Sequence, residues 1–414
     1  MTIGLEGETA VTPRAAVVDV AAERARTAGA AGRHYFNAAG ASLMSDAVLE
    51  AMIGHLRLEQ RVGGYDAANL RVDEMTAAYA AAATLLGAAP NEIAFFDSAT
   101  TGLRAVFDAL RLGDGDTIIA PRSSYVSQAL RLLALRRYDG VRLVIVPTDE
   151  TGAMDLHALE VALIAAPGRT VISSVHIPTS SGLVEPVVAI GALARRYGAL
   201  TVLDATQSVG HLDIDVSVLD CDALVTTGRK YLRGPRGTGL LYLRAGVLSG
   251  LGGWAPDVRG SVWTSAEEWT MEGTARQLET WESSVASRLG LGVALREALD
   301  RGMAATESYL VAYGAGLRDG LATIAGVQIA DPPASPSGLV TFTVDRMASK
   351  QVSAQLREAK IDSISVPASH AQWDLGARGL ASVVRVSPHV YNNDDDRDAL
   401  LEHIARITSG VAAR

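Results

Sequence analysis

Short, mostly apolar runs alternate with amphipathic stretches through the middle of this chain. Runs at 93–96, 117–120, 141–146, 170–175, 200–203, 223–226 and 240–243 are too short for buried helices and read as strands. Their apolar positions are consecutive rather than every second residue, the pattern of strands covered on both faces. Between most of them the spacing predicts helices, over 101–110, 128–136, 156–165 and 187–197. Strand and helix alternating in this way predict an α/β fold with a mostly parallel sheet and helices on both sides. In such a sheet, functional residues gather where strands end and loops begin.

The flanks are built differently. Residues 1–32 are alanine-rich with mixed charges and are expected to form an N-terminal arm, flexible or in a short helix. The stretch 34–40 reads as a short strand ending in a turn, and Ser45 is placed to cap a helix beginning near Ala47. A glycine-bearing loop at 61–65 precedes an alanine-rich helix over 71–86. After Gly252 and Gly253 the pattern changes, and 254–284 holds Trp254, Trp263, Trp269 and Trp281 with weak periodicity of either kind. A long helix over 285–313 is expected to lead into a second unit with a strand at 338–344, a helix at 349–359 and a strand at 382–387. Asp394, Asp395 and Asp396 suit the start of the last helix, where their charge meets the positive end of the helix dipole. The expected division is 1–32 as arm, 33–292 as a large domain and 293–414 as a smaller α+β domain.

Composition narrows the class of protein. A chain of 414 residues, 48% hydrophobic and 20% charged, has ample length for a large core and the balance of a soluble enzyme. A net charge of −9 without a basic block argues against a nucleic-acid partner. The one cysteine, Cys221, excludes an internal disulfide framework and a zinc site built on several cysteines, and no metal is expected. The N-terminal stretch lacks the apolar core of a signal peptide or membrane span, so a cytoplasmic protein is expected.

Lysine is nearly absent: Lys230, Lys350 and Lys360 stand among 37 basic residues. Arginine cannot act as an amine nucleophile, whereas a desolvated lysine can form a Schiff base. Lys230 lies in Thr-Thr-Gly-Arg-Lys-Tyr, followed by the glycine-rich run 234–239 and a strand, which makes this segment a tight loop between elements. A surface lysine in such a loop is the bland alternative. Asp97-Ser-Ala-Thr-Thr-Gly follows a strand and opens a helix, where hydroxyls and free N–H groups make a phosphate site or merely a helix cap. Tyr125, just past the next strand, can pack or stack on a ring. His176 begins a polar loop after another strand and equally suits a core histidine. Asp204 ends an apolar strand in Asp-Ala-Thr-Gln. A carboxylate there caps a helix or keeps a pyridinium nitrogen protonated. The order of the pieces carries more weight than any one of them.

With hydroxyl-rich helix start, aromatic residue, Asp-x-x-Gln and Thr-Gly-x-Lys in sequence, the chain resembles the class V branch of the pyridoxal-phosphate enzymes. These have the aspartate-aminotransferase-like fold and include cysteine desulfurases, selenocysteine lyases, isopenicillin-epimerase-like proteins and the C–S lyase of ergothioneine biosynthesis. The resemblance runs from about residue 33 to the C-terminus. It implies pyridoxal 5′-phosphate as cofactor, with Lys230 holding it covalently and later moving the substrate's alpha proton. It implies Asp204 on the pyridine nitrogen, Gln207 on the phenolic oxygen and Tyr125 stacked on the ring, where the family usually has histidine. Ala99, Thr100, Thr227 and Arg229 would hold the phosphate, Arg229 standing where histidine is common. Thr179 takes the position of a family asparagine near the substrate, and Arg385 matches the arginine that clamps the substrate carboxylate.

Two departures shape the expected reaction. Cysteine desulfurases carry a nucleophilic cysteine in the loop before the last domain's arginine. Here 367–373 contains none, while Cys221 lies far off in sequence. The family also often supplies a Gly-Thr pair from the neighbouring subunit to the phosphate. One register puts Trp281 and Glu282 there, and another puts Gly273 and Thr274. A homodimer is expected, with the tryptophan-rich segment at its interface or, alternatively, packed as core. A desulfurase-like scaffold without the persulfide cysteine leads to a C–S lyase, eliminating a thiol from an S-substituted cysteine-like substrate, with Tyr125 or His370 protonating the leaving group and Trp281 shaping the pocket. The branch serves sulfur-metabolite pathways, including ergothioneine and lincosamide antibiotic biosynthesis. Decarboxylation-coupled oxidative deamination, then aminotransfer or epimerisation, then a catalytically silent binding protein are the alternatives.

Overall fold

The computed structural model describes residues 17–248, 250–251 and 256–412. Seven strands make the main sheet: β1 (Ile93–Phe96), β2 (Thr117–Pro121), β3 (Arg142–Val146), β4 (Thr170–Val175), β5 (Leu200–Asp204), β6 (Ala223–Thr227) and β7 (Gly239–Leu243). Each coincides with one of the apolar runs. Their order is β1-β7-β6-β5-β4-β2-β3, with β7 antiparallel to both neighbours and every other pairing parallel. Consecutive apolar positions are explained by burial on both faces. Ile118 and Ile119, Val171 and Ile172, and Val202 and Leu203 are successive residues, all buried, yet the two members of each pair belong to different packing clusters. Helices Ala99–Leu110, Val126–Tyr138, Leu156–Ile164 and Val187–Tyr197 connect the strands.

Register fixes where loops emerge. Val175 lies opposite Asp204, and Asp204 opposite Val225, so β4, β5 and β6 end along one edge. That edge releases the loops containing Thr179, Gln207 and Lys230 side by side.

A second sheet has four antiparallel strands in the order Val327–Ile329, Val340–Val344, Ser382–Val386 and Ile364–Pro367. The middle two match expectation, while the outer two are short strands that the sequence pattern did not reveal. His34–Tyr35 pairs in parallel with Ile361–Asp362, so the start of the chain's central body is tied to the later part. The described part of the N-terminal arm is also anchored. Its helix, Val20–Ala25, carries the buried Glu23, which pairs with Arg233 at 2.6 Å and Arg301 at 3.2 Å. Residues 1–16 lie outside the described residues.

The helix expected over 285–313 is two helices, Val285–Arg301 and Met303–Ala322. Gly302 separates them with φ 83° and ψ 126°, a conformation outside the helical region, and caps the first through bonds to Ala298 and Leu299. The apolar spacing continues across the break, which is why it is invisible in the pattern. Gly63, with φ 87°, likewise ends the helix Asp46–Val62 and starts Gly64–Asn69, where a loop was expected. The tryptophan-rich segment forms a hairpin, Ser261–Trp263 with Trp269–Met271. Trp263, Trp269 and Trp281 are 78%, 50% and 51% exposed, so within this chain they are not core; Trp254 lies outside the described residues.

Candidate active site

At the edge where β4, β5 and β6 end, a cleft of about 260 Å³ is lined by Lys230 together with Ala99, Thr100, Tyr125, Thr179, Asp204, Gln207, Thr227 and Arg229. These nine residues, spread along the chain from Ala99 to Lys230, therefore converge in space. The turn that carries Lys230 is held by its own backbone: Gly228 N–H donates to the Thr238 carbonyl at 2.9 Å, and Gly234 N–H to the Gly228 carbonyl at 2.7 Å. Thr227 Oγ1 donates to the same Thr238 carbonyl at 3.0 Å. Two glycines allow this packing. A Cβ on Gly210 would come within 2.5 Å of the Tyr231 carbonyl, and one on Gly239 within 2.7 Å of Ser98. The second contact seats the start of β7 directly against the helix start at Ser98.

That helix start is a ready anion site. The first N–H groups of a helix have no intrahelical partner, and Ser98 Oγ accepts only that of Thr101, at 3.2 Å. Arg229, half-buried at the same cleft, forms no ion pair among the described residues, and burial lowers its pKa. Lys230 is buried, its Nζ 5.8 Å from the centre of the Tyr125 ring. Burial, reinforced by Arg229 and Arg385 and opposed by Asp204, pushes its amine down to about 7. Near neutral pH much of it is therefore unprotonated, the form that attacks a carbonyl.

Asp204 accepts a bond from the Thr206 N–H at 2.9 Å. Gln207 donates to the Ala39 carbonyl at 3.1 Å, and its own carbonyl oxygen is buried without a partner. Arg385, on the strand Ser382–Val386 of the second sheet, does not itself line the cleft but bonds to Thr179, which does. It donates to Thr179 Oγ1 at 2.6 Å and to the Thr179 carbonyl at 3.2 Å, while its Nε is buried without a partner. Burial pushes Arg385 down to about 10, so it stays charged at neutral pH. Among the described residues no carboxylate pairs with it.

Not every expected residue arrives. His370 is exposed on a short helical turn, Ala368–His370, and does not line the cleft. Trp281 lines a separate cavity of about 570 Å³ with Tyr65, Tyr79 and Arg259. His176 does not line the cleft although its neighbours Val175 and Ile177 do; it faces a separate depression, and burial pushes it down to about 4. It is a neutral core histidine. Cys221 is also outside the cleft, and burial pushes its thiol up to about 12. Sequence reasoning missed Gln128 and Arg236, which line the cleft. Arg236 sits inside the glycine-rich run and could have been found there, whereas Gln128 gives no motif.

The pieces fit pyridoxal 5′-phosphate. An unpartnered helix start and a free guanidinium suit the phosphate. A carboxylate suits the ring nitrogen, the orphaned Gln207 oxygen suits a donor on the ring, and a neutral-leaning amine suits the aldehyde.

Comparison with known proteins agrees. The family model for aminotransferase class-V matches residues 34–400. The protein named "Probable hercynylcysteine sulfoxide lyase" of Mycobacterium tuberculosis is 30% identical over 395 residues, covering 94% of this chain and 93% of its own length. The one named "Probable cysteine desulfurase" of Methanothermobacter thermautotrophicus is 28% identical over 344 residues, covering 78% and 81%. A cysteine desulfurase of Escherichia coli superposes with a TM-score of 0.86 at 23% identity, over 95% of this chain and 99% of its own, which establishes the fold. The chain belongs to the aminotransferase class-V family of pyridoxal-phosphate enzymes.

Proposed function

We propose that this enzyme is a C–S lyase that eliminates a thiol from an S-substituted, cysteine-like amino acid, within sulfur-metabolite or natural-product biosynthesis such as that of an antibiotic. The observation that carries the reading is a cleft lined by Lys230 and Asp204, with Arg385 bonded behind its wall at Thr179, and no cysteine among its lining residues. The similarity to a protein named as a sulfoxide lyase supports it.

In this reading Lys230 holds the cofactor through its amine, Asp204 faces the ring nitrogen, Gln207 the ring oxygen, and Tyr125 covers the ring. Ala99, Thr100, Thr227 and Arg229 take the phosphate. The bound cofactor supplies an electron sink for charge developing at the substrate's alpha carbon. Arg385, with Thr179 beside it, grips the substrate carboxylate and so fixes which bonds at the alpha carbon face the ring. Once the substrate's amine has taken its place and freed it, Lys230 Nζ accepts the alpha proton. The C–S bond then breaks with its electron pair going to sulfur, and Tyr125, which lines the cleft, gives the thiolate its proton. One water then hydrolyses the released enamine acid, so the products are a thiol, ammonia and a keto acid. Incubating the holoenzyme with a panel of S-substituted cysteines, with mass spectrometry of products, is expected to yield these three in equal amounts. Release of carbon dioxide with an aldehyde, or an intact racemised substrate, would contradict it.

The same reading includes a cytoplasmic homodimer, divided into arm, large domain and small domain at about residues 32 and 292. Among the described residues no helix is long and apolar enough to cross a membrane. The exposed Trp263, Trp269 and Trp281, with Tyr65 at 77% exposure, make an apolar surface of the kind that partners cover. Trp281 or Glu282, or in the other register Gly273 and Thr274, would then reach the second subunit's cleft, once per site. Light scattering at micromolar concentration should give twice the mass of 43.3 kDa, and a stable monomer would refute the dimer.

A further inference from the structure

We propose that Glu185 is a positioning residue for this reaction, tying the turn that presents Tyr125 to the loop that presents Thr179; the inference rests on the reading of the cleft given above. Glu185 does not touch the cleft. It is 2% exposed and forms no ion pair among the described residues. Its two carboxyl oxygens are both engaged: Ser123 Oγ donates to Oε1 at 2.5 Å and Met154 N–H donates to Oε2 at 2.8 Å. Its own N–H donates to the His176 carbonyl at 2.9 Å, closing the loop 176–185 on itself. His176 N–H in turn donates to the Asp204 carbonyl at 3.0 Å.

Each end of this linkage leads to the site. Ser123 lies two residues before Tyr125, in a turn whose Ser124 Oγ donates to the Pro121 carbonyl at 3.0 Å. Thr179, in the middle of the closed loop, receives Arg385. One carboxyl thus joins the support of the ring over Lys230 to the support of the arginine that takes the substrate. A buried carboxylate without a counter-cation is costly, and a glutamine would fill the space without that cost. A role beyond packing follows.

Burial pushes Glu185 up to about 7, with Asp149 and Asp374 adding to the rise and the Ser123 and Met154 donors opposing it. Of the other groups around it, His176 is neutral, and Asp213, Asp215 and Glu307 line a surface depression together with Glu185 and His176. None supplies a cation. Above neutral pH both oxygens accept, and Ser123 is held in one orientation. Below it one oxygen carries a proton, so the Ser123 hydroxyl is free to turn and the Tyr125 support loosens.

The test compares wild-type holoenzyme with Glu185→Gln and Ser123→Ala from pH 5.5 to 8.5. Visible circular dichroism of the bound cofactor reports the ring's surroundings, and kcat and KM are measured on an S-substituted cysteine. Wild type should show a change in the cofactor signal centred near pH 7 that Glu185→Gln lacks. Both variants should lose about 10- to 100-fold in kcat with little change in KM, as expected for misplaced catalytic groups. Should Glu185→Gln fail to fold, Ser123→Ala decides: a wild-type cofactor signal and kcat in that variant overturn the proposal. So does a neutral-pH transition retained in Glu185→Gln. A wild type that binds no cofactor refutes the reading of the cleft instead, and takes this inference with it.

Discussion

Changing Lys230 to alanine is expected to leave a folded protein that holds its cofactor weakly, shows no covalent link to it and has lost at least about 10³-fold in turnover. The two roles proposed for it, covalent anchor and acceptor of the alpha proton, would vanish together. No second amine can substitute, because Lys350 lies in the helix Ser349–Glu358 and Lys360 just beyond it, both outside the cleft. The fold should survive, since removing a buried amine that burial already disfavours in its charged form sacrifices little stability. The measurement is visible absorbance with melting temperature and a product assay on the same sample. Near-wild-type activity would remove Lys230 from the mechanism, and loss of folding would make it structural.

Arg385→Ala is expected to raise KM for the amino-acid substrate about 10- to 100-fold while leaving cofactor occupancy unchanged. A charge-assisted bond to a carboxylate contributes about 1.5–3 kcal/mol, which converts to that range. The structural reason is the state of Arg385 before substrate arrives. It is 3% exposed, bonded only to Thr179 among the described residues, with Nε unpartnered and no carboxylate beside it. A buried cation lacking a counter-ion is poised for an anion that comes from outside. Titration of substrate and of cofactor into wild type and variant separates the two affinities. A fall in cofactor occupancy with unchanged KM would assign Arg385 to the fold.

What the sequence made legible follows from burial. The seven strands of the main sheet were readable because strands covered on both faces must be apolar at consecutive positions, and those runs stand out between helical spacings. The cleft was readable because its residues lie at strand ends, where β4 to β6 finish in register. The hairpin at 261–271 was not, since its strands of three residues are too short for alternation to register. Gly302 was not, because a glycine within helical spacing says nothing about φ until the chain is folded. His176 shows the finer limit: a position just past a strand end puts a residue at the right edge, but the path of the following loop decides what it faces, and His176 faces a different depression. Glu185 carries no motif at all. Its position is legible only when Ser123 and Met154, far apart in sequence, are seen to meet on one carboxyl.

The proposed cofactor site stands or falls on a covalent link at Lys230. Borohydride reduction of the purified holoenzyme, followed by trypsin digestion and mass spectrometry, tests it most directly. One reduced cofactor per chain is expected, carried by the peptide that begins at Lys230 after cleavage at Arg229. Cofactor fixed to Lys350 or Lys360, or none fixed to any residue, would contradict it.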